Sequence, residues 1–318
     1  MAALLRWRSA ISPGVCTALQ RDGCAVIDGA LGANWCLAAR GEVERVWRAG
    51  RLHANATHIV RAGERQLLPK ASILEAELLD PAVQAVAPLV AELQADATLR
   101  TMLSLLLPRL RLDSQAIKLQ VNEGGGGCFP MHCDSDEEVD GRRVSAIFYL
   151  NPHWRPGDGG ELRLYPFPRE PVDIAPACDR IVLFPSTTML HRVLPSKRDR
   201  YCFTLWLSQS RGRPPPPTPL PVLLQEMSAP ASREALVALL REPQARRYVS
   251  KLFYAAPWAA SIEESHAPSP ARDAALEQHW REARALEAVF TRLCGVSGKR
   301  LRPHLLDLAL AAAPTAWL

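Results

Sequence analysis

Apolar residues recur at two different periods along this chain, and the change of period divides it. Residues 13–22 read as a helix closed by Gly23. Cys24-Ala25-Val26-Ile27 reads as a short strand, with a turn at Asp28-Gly29. Over residues 33–47, Val43, Val46 and Trp47 give the three-and-four spacing of a buried helix face, and Gly50 supplies a C′ stop. Residues 52–72 are polar and show no period, so an irregular loop is expected. Residues 73–107 read as two helices interrupted by Pro81 and Pro88. Leu74, Leu78, Leu79, Val83, Val86, Leu89, Val90 and Leu93 would form their inner face.

From residue 115 the period shortens. Hydrophobic runs near 115–121, 130–133, 143–150, 161–165, 180–184, 189–194 and 200–207 are separated by Gly, Pro and Asp turns. That pattern predicts a sandwich or barrel. With helices before and after it, the fold class is α+β. Residues 213–221 contain Pro-Pro-Pro-Pro and read as a semi-rigid extended spacer; a docking motif for a proline-binding partner is the less favoured reading. A helical tail follows. Ser269-Pro270 is an N-cap and first-turn pair; Leu276, Trp280, Ala283, Leu286, Phe290 and Leu293 mark one face, and Gly295 closes it. The expected organisation is a domain at 1–210 with its core at about 115–210, a Pro-rich linker at 211–221 and a helical C-terminal region at 222–318. The apolar stripe of the tail must bury against the domain, the other tail helices or a second copy, so self-association or a partner at the tail is an open expectation.

Composition narrows the class. The chain has 318 residues, about half of them hydrophobic, which suits a globular protein rather than a disordered one. A formal net charge of +5 is mildly basic, and the basic residues are dispersed. That balance does not by itself argue for a nucleic-acid partner. The eight cysteines show no C-x-x-C pair and read as reduced thiols. No apolar run approaches the roughly 18 residues of a membrane span. The N-terminal stretch, without an acid before Asp22, reads as a first helix, with an organelle transit peptide as the alternative. With no secretory signal visible, cytoplasm or nucleus is the expected location.

The chemistry concentrates in residues 127–206. His132 and Asp134 are two apart, and alternate residues of a strand share a face. One strand end thus offers an imidazole and a carboxylate to the same ion. His191 returns only through a folded sheet. Two histidines and a carboxylate form the facial triad of non-haem Fe(II) oxygenases, which leaves coordination positions open. Arg200 stands nine residues after His191, and a guanidinium there suits a carboxylate. Each residue also has a plainer reading. His132 and Asp134 suit a strand-end ion pair, and His191 a surface site. Arg200 suits a partner acid such as Asp173 or Glu161, and Tyr149 an ordinary core position. Zn²⁺ would fit such a triad too, but would give Arg200 and Tyr149 no purpose. His53 and His58 read as solvated.

The motifs in order are Met131-His132-Cys133-Asp134, Phe148-Tyr149-Leu150-Asn151, Gly159-Gly160-Glu161-Leu162-Arg163-Leu164-Tyr165-Pro166, His191-Arg192-Val193 and Arg200-Tyr201-Cys202-Phe203-Thr204-Leu205-Trp206. Together they resemble the 2-oxoglutarate- and Fe(II)-dependent oxygenase superfamily in its prolyl 4-hydroxylase branch. Within it they are most similar to the hypoxia-inducible-factor-type prolyl hydroxylases. The opening at Gly23-Cys24-Ala25-Val26-Ile27-Asp28 extends the resemblance over roughly residues 13–210, and the tail lies outside it.

The resemblance implies a double-stranded β-helix, a jelly-roll form, with helices packed on one face. It implies Fe(II) held by His132, Asp134 and His191, with Arg200 completing the catalytic set. Two of the open positions would go to 2-oxoglutarate, whose far carboxylate reaches Arg200 and Tyr149, and O2 would take the last. Thr204 and Trp206 match positions that line the cosubstrate site. Ascorbate is expected from the family, and the loop at 52–72 matches a segment that folds over substrate. Asn122 stands where the family usually has a tyrosine that touches the cosubstrate, a departure that bears on affinity. Trp206 stands where nucleic-acid demethylases of the superfamily carry a second arginine, which argues against that substrate. The expected substrate is a proline in a protein or peptide. A small molecule or free amino acid on the same scaffold, and a pseudo-oxygenase that only binds partners, are the alternatives.

Overall fold

Strand alternation builds two antiparallel sheets with a buried layer between them. The computed structural model describes residues 2–61, 64–135, 140–210, 224, 227–313 and 317–318. The larger sheet contains β1 (Ala25–Asp28), β2 (His53–Arg61), β3 (Glu64–Glu77), β4 (Ser114–Asn122), β6 (Arg142–Tyr149), β9 (Arg180–Pro185) and β11 (Arg200–Ser208). Its order is β1-β9-β6-β11-β4-β3-β2. The smaller contains β5 (Phe129–His132), β7 (Leu162–Tyr165), β8 (Val172–Ile174) and β10 (Leu190–Val193), in the order β5-β10-β7-β8. From β4 to β11 the chain crosses repeatedly between the sheets, so residues distant in sequence meet in the layer that the sheets enclose.

Alternation decides which side chains enter that layer. On β11, Tyr201, Phe203, Leu205 and Leu207 face outward into a helical core, while Cys202 faces the inner layer. The outer core joins these residues to α1 (Ala2–Ala10), α2 (Pro13–Asp22), α3 (Ala33–Arg48), α5 (Pro88–Ala95) and α6 (Thr98–Leu106), through Trp7, Leu19, Val46, Val90 and Leu103. Phe148 stacks on Phe203 there, with ring centroids 4.6 Å apart. The inner layer contains Ile147, Tyr149, Leu162, Leu164, Val182 and Phe184. Asp179, just before β9, accepts from Leu31 N at 2.9 Å and Gly32 N at 2.7 Å. It thereby binds the start of α3 to the sheet.

The C-terminal helices are α7 (Arg233–Arg241), α8 (Pro243–Phe253), α9 (Ala255–Ser265), α10 (Pro270–Cys294) and α11 (Leu301–Ala312). They share a core around Leu240, Val249, Phe290, Leu293 and Leu308, which also takes in Phe167 from the loop after β7. The region is packed against the smaller sheet. Tyr254 and Trp258 cover Met131, Tyr165 and Leu190 on its outer face. Trp317 joins the inner layer, and its backbone N–H donates to Gln20 O at 2.9 Å.

The α+β arrangement and the expected strands between 114 and 208 are present, but several local expectations are not. Residues 52–72 are no loop: β2 and most of β3 form a long hairpin at the edge of the larger sheet. Its tip at 62–63 lies outside the described residues. The first part of the expected helix at 73–107 is also strand, and the remainder is α4 (Pro81–Gln84), α5 and α6. Leu79, assigned to the inner face, is 61% exposed because it follows the end of β3. On α10 the buried line runs through His279, Ala283, Phe290 and Leu293, leaving Trp280 partly exposed. His279 replaces it because its Nε2 bonds Ala255 O at 2.8 Å. The linker at 211–221 lies outside the described residues. None of the eight cysteines is in a disulfide. Among the described residues no helix is long and apolar enough to cross a membrane.

Candidate metal and cosubstrate site

The site begins with one strand pair. β5 and β10 are antiparallel, and His132 lies directly opposite His191. Their ring centroids are 4.3 Å apart. Each Nδ1 faces a carbonyl two residues upstream: Pro130 O at 2.7 Å for His132, and Met189 O at 3.0 Å for His191. A carbonyl only accepts, so each Nδ1 carries a proton, and in the neutral ring Nε2 is the nitrogen with the lone pair. Asp134 lies past the end of β5, in a bend, rather than on the strand that alternation suggested. It still arrives on the same side: Oδ1 is 3.5 Å from both Nε2 atoms. The other oxygen, Oδ2, accepts from Ser145 Oγ on β6 and from Trp206 Nε1 on β11 at 3.2 Å. Candidate ligand atoms of His132, Asp134 and His191 all lie within 4.8 Å of one another.

Electrostatics favour the binding form of His132 and Asp134. Burial lowers the pKa of His132, and neighbouring His191 lowers it further, against the opposing pull of Asp134. Burial pushes the Asp134 carboxyl upward, but His191 and His132 outweigh it and hold it well below the usual range. A neutral imidazole beside an ionised carboxylate is the form that takes a divalent cation.

Arg200 opens β11 and is 2% exposed. Its Nε donates to Gly160 O at 2.8 Å, and one terminal nitrogen reaches Cys202 Sγ at 3.2 Å and Asn122 Oδ1 at 3.5 Å. Gly160 makes room for it: a Cβ there would stand 2.8 Å from Arg200 Cδ. Among the described residues no carboxylate pairs with this guanidinium. Asp173 is taken by Arg163 at 2.6 Å. The Tyr149 ring centroid lies 5.0 Å from Arg200 Cζ, and the Tyr149 hydroxyl is buried without a hydrogen-bond partner. A buried cation without a counter-charge, beside an orphan hydroxyl, is costly unless a ligand completes it.

A cavity of about 380 Å³ joins the two ends, with His132, Asp134, His191, Arg200, Thr204 and Trp206 on its wall. Asn122 and Tyr149 stand behind that wall, beside Arg200. Sequence reasoning missed the mouth. Lys118 and Gln120, which line it, alternate with Asn122 on β4, so strand alternation counted back from Asn122 was a usable signal. Asn55 and Lys70 come from the stretch expected to be a loop, and Glu75 from the part of β3 expected to be helix. Lys70 donates to Asn55, Asn55 to Glu75, and Lys118 to Glu75 at 3.1 Å. Arg142 stacks over Trp206, with Cζ 4.0 Å from the ring centroid. His53 is exposed and 3.8 Å from Glu75, outside the three-residue cluster. The His58 side chain lies outside the described residues.

Residues 117–208 match the family model of the 2OG-Fe(II) oxygenase superfamily. That segment is a 2OG-Fe(II) oxygenase domain. The oxygenase domain contains every residue of the cluster and Arg200, and the superfamily uses Fe(II), 2-oxoglutarate and O2. Its similarity lies in the prolyl hydroxylase branch. It is 40% identical over 91 residues to the hypoxia-inducible factor prolyl hydroxylase of Caenorhabditis elegans, covering 28% of this chain and 12% of that protein. It is 36% identical over 93 residues to the prolyl hydroxylase EGLN3 of Mus musculus, covering 28% of this chain and 38% of that protein. The chain thus spans well under half the length of these relatives. Similarity to a prolyl 4-hydroxylase structure from Phytophthora capsici reaches beyond the oxygenase domain. It covers 97% of this chain and 95% of that one, at 28% identity and a TM-score of 0.74. The C-terminal helices therefore have a structural counterpart, contrary to the expectation that resemblance stops near residue 210.

Proposed function

We propose that this protein is a 2-oxoglutarate- and Fe(II)-dependent dioxygenase that hydroxylates proline in a protein or peptide. His132, Asp134 and His191 would hold the iron, and Arg200 and Tyr149 the far carboxylate of 2-oxoglutarate. The residues fit both groups. Two imidazole nitrogens and one carboxylate oxygen converge, a buried guanidinium without an acidic partner stands on the wall of the same cavity, and the Tyr149 hydroxyl lies behind it. That unpaired Arg200 is the observation that carries the reading, since a bare metal site would not need it.

Iron, cosubstrate and O2 would supply the oxidising power, turning a substrate C–H into C–OH while 2-oxoglutarate becomes succinate and CO2. The chain's own part is placement. Ser145 and Trp206 hold one oxygen of Asp134 so that the other faces the imidazoles. The carbonyls of Pro130 and Met189 fix the two tautomers. Arg200, kept charged, orients the dicarboxylate by a forked contact, and Asn122 would help steer it. Thr204 and Trp206 would line the cosubstrate, and the inner apolar layer excludes water. The crossing of strands between two facing antiparallel sheets supports a double-stranded β-helix core. The reading also takes in ascorbate as reductant, a cytoplasmic or nuclear location and the division at 1–210, 211–221 and 222–318. Similarity to prolyl hydroxylases supports a peptidyl substrate over a free small molecule.

The test is incubation with Fe(II), 2-oxoglutarate, ascorbate and a panel of proline-containing peptides, read by mass spectrometry. A gain of one oxygen on proline, matched by succinate, is expected. Succinate with no modified peptide in the panel, together with hydroxylation of a free amino acid, would favour the small-molecule alternative. No 2-oxoglutarate binding at all would leave the pseudo-oxygenase.

A further inference from the structure

One face of α9 grips both strands that bear the histidines. Ser261 is fully buried, accepts from Met131 N at 2.9 Å and donates to Trp258 O at 2.6 Å. β5 is an edge strand of the smaller sheet. The N–H of Met131 therefore lacks a strand partner on its free side, and Ser261 satisfies it. One turn further along α9, Glu264 pairs with Arg192, which is 6% exposed on β10. Met131 immediately precedes His132, and Arg192 immediately follows His191. On the N-terminal side of the two contacts, Tyr254 and Trp258 cover Met131 and Leu190.

β10 is held on its other side by an unbroken register with β7, but the ladder alone holds His132 on β5 loosely. β5 has four residues, and its register with β10 shifts between His191 and Val193. The spacing of His132 and His191 therefore needs support from outside the strand pair. We infer that α9 is a splint for the metal centre, with Ser261 and Glu264 as positioning residues that set the separation and tilt of His132 and His191. Metal affinity would then depend on a helix lying outside the oxygenase domain of residues 117–208. This rests on the reading of His132, Asp134 and His191 as a metal site. Groups that hydrogen-bond metal ligands directly commonly contribute about 10–100-fold to metal affinity, which sets the scale for Ser261 and Glu264, acting one residue away.

The test compares Co(II) binding by the full chain with that of Ser261→Ala, Glu264→Ala and, as a control, His191→Ala. Binding is followed by visible absorption and chelator competition, with thermal unfolding of the metal-free proteins alongside. Glu264 is about half exposed, so its replacement threatens folding less than that of buried Ser261. The expected result is a roughly 10–100-fold loss of Co(II) affinity in both positioning variants, with an altered visible spectrum. Metal-free Glu264→Ala should melt close to wild type. Glu264→Gln, which keeps an acceptor for Arg192, should retain most of the affinity. Unchanged affinity and spectrum in both variants, with wild type binding and His191→Ala not binding, would overturn the splint alone. Affinity lost only in step with folded protein would also overturn it, leaving α9 a packing role. Failure of wild type to bind Co(II) would overturn the metal reading itself, and the splint with it.

Discussion

Arg200 lies beside Tyr149, with its guanidinium carbon 5.0 Å from the ring centroid, and neither group has an acidic partner among the described residues. The free protein carries the cost of that arrangement, and a dicarboxylate would relieve it. Substitutions should therefore separate stability from binding. Arg200→Ala should weaken 2-oxoglutarate binding by about 2–5 kcal/mol, roughly 30- to several-thousand-fold. Arg200→Lys should fall between, because an ammonium cannot fork. Tyr149→Phe should cost about 1.5–3 kcal/mol of binding with little effect on the stability of the unliganded protein, since the hydroxyl that it removes has only its approach to the Arg200 guanidinium and no hydrogen bond of good geometry. Calorimetric titration with Mn(II) present, beside melting curves, checks both halves. A destabilised free Tyr149→Phe protein with unchanged affinity would contradict the assignment.

Lys70 gives a pH signature. Burial lowers its pKa to about 8, Glu75 opposing the shift and Lys118 adding to it. An unfolded lysine titrates at about 10.4. Between roughly pH 8 and pH 10 the unfolded chain holds a proton that the folded chain has released, so this group makes stability rise with pH in that window. Below about pH 8 both states are protonated and the slope vanishes. Lys70→Met should flatten that window and stabilise the protein at neutral pH. Denaturant midpoints at several pH values decide it, and parallel profiles would refute it.

Asp179 offers a test of the scaffold. Its carboxylate satisfies two backbone N–H groups at the start of α3, and its own φ is +60°. Asp179→Ala leaves both donors unmet and puts alanine in a left-handed conformation. A loss of about 2 kcal/mol or more is expected. Asp179→Asn, which keeps one acceptor and tolerates that φ, should lose less. Urea unfolding of the two variants measures the difference.

The sequence carried the inner layer of this fold well, because buried central strands impose their period directly. On β11, Tyr201 and Phe203 turn to the helices while Arg200 and Thr204 turn to the cavity, as alternation requires. The β2–β3 hairpin escaped for the opposite reason. It lies at the edge of the sheet and its register shifts between Ala54 and Ala56, so that the buried positions of β3 change parity from Leu68 to Ile73. Missing it also hid Lys70, Asn55 and Glu75 at the cavity mouth. Asp134 is not on the strand that its two-residue offset from His132 suggested, yet from the bend after β5 it reaches the same side as both imidazoles. The support of Ser261 and Glu264 had no local signal, since contacts across more than 70 residues leave no period.

The central claim is that one cavity holds Fe(II) through His132, Asp134 and His191, and 2-oxoglutarate through Arg200. Succinate formation from 2-oxoglutarate by the purified protein, with Fe(II) and O2, tests it most directly when His191→Ala and Arg200→Ala are run beside wild type. The account predicts succinate from wild type, stimulated by proline-containing peptide, with both variants at background. Turnover retained by either variant, or no turnover by a wild type that also fails to bind 2-oxoglutarate, would contradict it.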